Sequence, residues 1–207
     1  MEVLNKIGIV ENKKPFVVSI GSAAAVGKTT ISVYIASKLV DEGKNVLFVS
    51  EDTMSNVLKK VSKFSNNTKK GGKFTVVGRF YDTERLHKIM DGRDFDYVFF
   101  DSFVFNDKNV IFETINYVNS KNISMFVSVQ LRRVIEPIVD TEFSSISVMQ
   151  KVDYAYILTK KETLTFTEKL GYWLRLKRVP NFNMNLVKTR FGKERRYDFH
   201  IDFKKIK

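Results

Sequence analysis

Phe16-Val-Val-Ser-Ile-Gly-Ser-Ala-Ala-Ala-Val-Gly-Lys-Thr-Thr30 decides how the rest of this 207-residue chain is read. Phe16 to Ile20 suits a buried strand and runs into a turn of small residues, Gly21 to Gly27. From Thr29 to Val40 the apolar positions recur with helical spacing, which predicts an amphipathic helix. Strand, small-residue turn and helix, in that order, are the context in which Gly-Lys-Thr reads as a phosphate-binding loop. Such a loop curls successive backbone N–H groups around an anion and aims a helix N-terminus at it. Gly27 lets the backbone turn close to the phosphates, and Lys28 brings a point charge to the β- and γ-phosphates. The Thr29 hydroxyl can ligate Mg²⁺. Ser22, Ala23, Ala24, Ala25, Val26, Gly27, Lys28, Thr29 and Thr30 are therefore the candidate binding residues for ATP with Mg²⁺. In the pattern Gly-x-x-x-x-Gly-Lys-[Ser/Thr] the first glycine position holds Ser22, with Gly21 just before it.

Outward from this stretch, strand-like and helix-like segments alternate. Asn45–Ser50, Lys73–Val77, Asp96–Asp101 and Ile123–Val129 read as strands. Thr53–Phe64, Thr83–Met90 and Asn109–Val118 read as helices between them. That order predicts an α/β fold with a mainly parallel sheet flanked by helices. From Asp153 the pattern changes to consecutive strands, at Tyr154–Thr159, Thr163–Thr167, Tyr172–Lys177, Asn185–Thr189 and Arg196–Phe203. Lys160–Glu162 and Phe191–Glu194 suit hairpin turns, and Asn66–Gly72 reads as a polar loop. The expectation is one domain over residues 1–207, with residues 1–14 as an N-terminal extension. Residues 153–207 would extend the same sheet with antiparallel strands. Asp101 ends a buried strand, where a carboxylate faces the ligand crevice of such a sheet and can hold Mg²⁺.

Composition narrows the chemistry. There is no cysteine, which excludes disulfides, thiolate metal sites and a Cys nucleophile. The chain has 2 His and no His-Glu-x-x-His pair, which argues against a zinc enzyme. Met1–Lys14 has no apolar stretch of signal-peptide length, and no window reaches the roughly 18 apolar residues of a spanning helix. A soluble, intracellular, cytoplasmic protein is expected, with no membrane partner. Lys and Arg number 35 against 23 Asp and Glu, a formal net charge of +12, which suggests a polyanionic partner. The last 57 residues hold 15 of the basic residues against 6 acidic ones.

With these motifs placed, the chain resembles the RecA-like ATPases, and within them the cores of DnaB-type replicative hexameric helicases. The resemblance extends from about Phe16 to Phe203 and is carried by four stretches. The first is the phosphate loop with Glu42-Gly-Lys-Asn-Val-Leu-Phe-Val-Ser50, similar to the family's second strand, which leads to a catalytic glutamate. Here the family register falls on Asp52 and the family side chain on Glu51, and either could orient the attacking water. The second is Asp101. The third is Ser128-Val-Gln-Leu-Arg-Arg133, where the resemblance implies that strand-terminal Gln130 senses the γ-phosphate. Arg132 and Arg133 would lie in a loop facing nucleic-acid phosphates. The fourth is Lys188-Thr-Arg190, where Arg190 would be an arginine finger acting on a neighbouring subunit's ATP, with Lys188 its companion.

What the resemblance implies is an ATPase coupled to single-stranded DNA, with Phe103, Phe105 and Phe143 available for base stacking. It implies a homo-oligomeric ring or filament, a hexamer favoured, acting with replication or recombination proteins as a motor core without accessory domains. Two other functions fit parts of the pattern. One is a partition-type ATPase switch, although Ala23 stands where that class has a signature lysine. The other is an accessory DNA-binding protein with a degenerate ATP site.

Overall fold

The computed structural model describes residues 2–9, 15–65, 71–78, 83–101, 108–135, 138–141, 152–160, 182–189 and 195–199. In chain order the elements are α1 (Glu2–Lys6), β1 (Val17–Ser22), α2 (Lys28–Asp41), β2 (Val46–Ser50), α3 (Met54–Phe64), β3 (Phe74–Gly78) and α4 (Thr83–Met90). There follow β4 (Tyr97–Asp101), α5 (Lys108–Ser120), β5 (Ser124–Ile135), β6 (Ile138–Thr141), β7 (Tyr154–Lys160), β8 (Phe182–Thr189) and β9 (Arg195–Phe199). The strands lie in the order β3-β2-β4-β5-β1-β7-β8-β9, with β6 paired to β5. From β3 through β7 all neighbours are parallel, whereas β8, β9 and β6 pair antiparallel. The fold is α/β with a mainly parallel sheet and an antiparallel C-terminal extension, as the alternation of segments predicted.

The continuous apolar runs follow from two-sided burial. Every residue of β1, β2 and β4 is buried, which is why these strands do not alternate apolar with polar. Val18, Ile20, Val46, Phe48, Tyr97, Phe99 and Phe126 face α1, α2 and α3. Val17, Leu47, Val49, Val98, Phe100, Met125 and Val127 face α4 and α5. On the first face Phe99 and Phe126 stack with ring centroids 4.5 Å apart, and Phe48 stacks between Phe99 and Phe74.

Two expectations are corrected. The helix after the turn is not one-sided: Ile31, Val33, Ile35, Ala36 and Leu39 are buried, and so are Ser32 and Ser37. The reason is that α1 and α3 pack against α2 in addition to the sheet. Its buried hydroxyls are satisfied, Ser37 donating within the helix to the Val33 carbonyl at 2.7 Å and Ser32 meeting the Ser128 hydroxyl of β5 at 3.1 Å. The N-terminal extension holds α1, with Val3, Leu4, Ile7 and Ile9 in the core. Glu42, at the C-terminus of α2, accepts the Glu2 and Val3 N–H groups at 3.0 and 3.3 Å. The Tyr156 hydroxyl donates to the Ile7 carbonyl at 2.6 Å.

The second correction concerns β5. It continues past Val129 to Ile135 and pairs with β6, so Arg132 and Arg133 belong to a strand of a hairpin instead of a loop. A bulge between Leu131 and Arg133 lets the strand leave its parallel neighbours and take up an antiparallel partner. The strands expected at Thr163–Thr167 and Tyr172–Lys177 lie outside the described residues, as do most of the Asn66–Gly72 loop and the Phe191–Glu194 turn. No helix among the described residues is long and apolar enough to cross a membrane.

The Tyr156 hydrogen bond tests the docking of α1. Tyr156 is 1% exposed, so Tyr156→Phe leaves a buried carbonyl with one donor fewer and is expected to cost ~1–3 kcal/mol. Urea denaturation would read this as a lower midpoint with an unchanged slope, and an unchanged midpoint would count against it.

Candidate phosphate-loop site at the carboxyl ends of the parallel strands

β1, β2, β4 and β5 bring Ser22, Ser50, Asp101 and Gln130 to one edge of the sheet, the edge where open α/β sheets bind ligands. The turn between β1 and α2 needs unusual backbone. Ala25 has φ 60° and Gly27, the N-cap of α2, has φ 117°. A side chain at position 27 would be strained, so glycine there follows from the geometry. The glycine at position 21 also has a packing reason. A Cβ at Gly21 would lie 3.0 Å from Leu131 Cδ1, tighter than ordinary contact.

Ser22 is fully buried, and its Oγ lies 3.3 Å from Lys28 Nζ. The Lys28 ammonium also donates to the Ser22 and Ala23 carbonyls, each at 3.2 Å. The lysine thus folds back over its own loop with its charge at the loop mouth. Burial pushes this ammonium down from the usual lysine range, against the attraction of Asp101.

Asp101 is 5% exposed and is held from two sides. Thr29 Oγ1 donates to Oδ1 at 3.0 Å, and Ser50 Oγ donates to Oδ2 at 3.2 Å. Burial raises its carboxyl above the ordinary range, opposed by the two hydroxyls and by the charges of Lys60 and Lys28. A threonine hydroxyl beside a carboxylate is a hard oxygen pair that suits Mg²⁺. Among the described residues no group of three or more His, Cys, Asp or Glu could hold a metal ion by itself. A Mg²⁺ here would draw its other ligands from water and phosphate, the usual arrangement for this ion at nucleotides. Thr29 and Asp101 therefore fit the metal role expected of them.

The chain leaves β2 through Glu51 and Asp52. Glu51 is exposed, and the Asp52 backbone N–H donates to Ser50 Oγ at 3.0 Å. Thr53 is the N-cap of α3, its Oγ1 accepting the Asn56 N–H at 3.3 Å. The Asp52 carboxylate instead bonds Asn56 Nδ2 at 2.8 Å and Lys60 Nζ at 2.9 Å. Asn56, Lys60 and the hydroxyl of Ser50 escaped the sequence reading. The four-residue step from 56 to 60 on α3 was the available signal, since it places the two side chains on successive helical turns.

The remaining candidates divide. Gln130 is the last β5 residue paired with β1, opposite Ser22, which brings it to the loop edge. Arg132 and Arg133 follow in the stretch of β5 that runs beyond that ladder. Lys188 pairs with Ala155, level with Ser19, on the far side of β7, and β8 then runs away from the loop. Lys188 does not join its own chain's site, and Arg190 lies outside the described residues. Asp153 has a local job, its carboxylate accepting the Val17 N–H at 2.8 Å where β1 and β7 begin. Comparison with models of known protein families and with curated proteins finds no match for this chain.

The raised Asp101 pKa has a sign that can be tested. A carboxyl raised on folding stabilises the native state below pH ~4 and loses that contribution as pH climbs through its folded value. Asp101→Asn removes the buried charge while keeping an acceptor for Thr29. At pH 7 the nucleotide-free variant is expected to melt above wild type, roughly 2–4 °C for each kcal/mol. The gap should close toward pH 4, and a lower melting temperature at pH 7 would contradict the assignment.

Proposed function

We propose that this protein is a RecA-like P-loop ATPase that couples Mg-ATP hydrolysis to binding of, or movement on, single-stranded DNA. One observation carries the reading: Thr29 and Asp101, far apart in sequence, meet at 3.0 Å beside a loop whose lysine is folded over its mouth. In this reading the loop N–H groups and Lys28 bind the triphosphate, and Thr29 with Asp101 hold the Mg²⁺. When bound, the ion neutralises charge on the phosphate oxygens. A carboxylate after β2, Glu51 or Asp52, orients the attacking water. Gln130 stands where the phosphate edge meets the β5–β6 hairpin, and Arg132 and Arg133 follow it on that hairpin. The net charge of +12 supports a nucleic-acid partner for those arginines.

Arg190 would act on the ATP of a neighbouring copy, which makes the active form a homo-oligomer. The place of Lys188 in the fold supports action in trans, since β8 carries it away from its own loop. The tethering of Asp52 to Lys60 favours one second reading, a DNA-binding protein that holds ATP without hydrolysing it.

ATPase assays with and without single-stranded DNA separate these. Stimulated turnover is expected, with Lys28→Ala reducing kcat/KM at least ~10²-fold, the scale of losing one preorganised charge donor. Arg190→Ala should lose ~10³-fold or more, and mixing it with Lys28→Ala should partly restore turnover if the finger acts in trans. Equal turnover with and without DNA would sink the DNA coupling, and Mg-ATP binding without turnover would select the second reading.

A further inference from the structure

We infer that the outward face of α3 is a docking surface for an acidic amphipathic helix of a partner protein, anchored on Met54 and Leu58 and steered by Lys59 and Lys63. The inference does not depend on the nucleotide reading.

The stretch Met54–Phe64 has more apolar residues than its core face uses. Val57 and Phe64 are buried, and Val61 packs against the same core. Positions 57, 61 and 64 recur at steps of four and three, the inward stripe of an amphipathic helix. Met54 and Leu58 lie outside that stripe and are 55% and 45% exposed. Among the described residues they are the only exposed large apolar side chains. A single exposed leucine is ordinary on a protein surface. Here the two stand one turn apart, and with Ser55, Lys59 and Ser62 they line one open groove of about 650 Å³.

What fits the groove follows from its two rows of side chains. Positions 54, 58 and 62 make an apolar row, closed by Ser62, whose hydroxyl turns back to donate to the Lys59 carbonyl at 2.9 Å. Positions 55, 59 and 63 make the neighbouring row, which carries Lys59 and Lys63. α3 holds three lysines and no acid. Lys60 is taken up by Asp52 at 2.9 Å, whereas neither Lys59 nor Lys63 forms an ion pair with another described residue. A helix laid in such a groove meets it through residues three and four apart. Apolar residues one turn apart on the partner fill the Met54–Leu58 row, and carboxylates beside them meet Lys59 and Lys63. Met54, unbranched and flexible, adapts to the shape that covers it.

Charge decides against the other occupants. A second copy docked through the same face would bring Lys59 and Lys63 against their own counterparts, an isologous contact of like charges. A lipid surface would gain only two apolar side chains, since Val57, Val61 and Phe64 are committed to the core. Nucleic acid would use the lysines but leave Met54 and Leu58 without a role. An acidic helix uses both rows.

The test titrates the full chain with synthetic helical peptides and follows the methyl NMR signals of Met54 and Leu58. One peptide carries leucines at i and i+4 flanked by glutamates. A second has alanines in place of the leucines, and a third has lysines in place of the glutamates. The first should shift both signals, and its binding should weaken as salt rises. Met54→Ala with Leu58→Ala keeps every charge and should weaken the first peptide at least ~10-fold. Lys59→Glu with Lys63→Glu should reverse the preference between the first and third peptides. Melting temperatures near wild type check that these surface variants fold. Absence of the Met54 and Leu58 shifts overturns the proposal. Equal binding of the first two peptides also overturns it, being the non-specific attraction expected of a chain at +12. In either case sedimentation and phosphatidylserine vesicles, each with wild type and the Met54/Leu58 double variant, assign the face to a second copy or to a lipid surface instead.

Discussion

A carboxylate that is 5% exposed must find donors inside the protein, and Asp101 finds two, from different elements. Thr29 reaches it from the first turn of α2 and Ser50 from the end of β2. Meeting that requirement holds two parallel strands, β2 and β4, and one helix in a single arrangement at one edge of the sheet. Ser50 and Asp101 are register partners on adjacent strands, so a slip of β2 against β4 would break the bond and bury a charge without its donor. Thr29 can reach only if α2 begins where it does, immediately after the left-handed turn at Gly27. The phosphate loop and the carboxylate therefore constrain each other.

β5 is the strand that makes this possible. It lies between β1 and β4, so the loop and the carboxylate face each other across one strand's width instead of touching backbone to backbone. The intervening strand delivers Gln130 to the same edge. Just past it, Leu131 packs over Gly21, which favours glycine at that position. β5 then departs from the parallel ladder into a hairpin with β6. One strand thus links the phosphate edge to the arginines at 132 and 133.

Much of this was legible from short-range pattern. Continuous β-branched and aromatic runs mark strands buried on both faces, and every strand from Val17 to Asp101 was found within a residue or two of its place. What escaped has a common cause. α1 is only five residues long and has no period to detect, and it is held by Glu42 and Tyr156, which lie far along the chain. The double-sided burial of α2 depends on α1 and α3 covering it, and a count of apolar positions along α2 reads as one face. β5 was ended too early because Arg132 and Arg133 look like a solvated turn when the partner strand is unknown. Asn56 and Lys60 escaped because their bonds to Asp52 depend on how the chain turns between β2 and α3.

The sequence by itself determined the order of strands and helices, the glycine-dependent turn before Lys28, and the residue types available for phosphate and metal. Each of those depends on a residue's own backbone preference or on spacing within a few positions. Only the tertiary structure decided which of them meet. Thr29 and Asp101 are 72 residues apart, and no local pattern brings a hydroxyl to a carboxylate over that distance. The packing of β5 between β1 and β4 does, because it sets how far apart the two strand ends stand. The same reason applies to Glu51 and Asp52, neighbours of equal promise in the chain. Position relative to α3 and Ser50 gives Asp52 its donors from Thr53, Asn56 and Lys60.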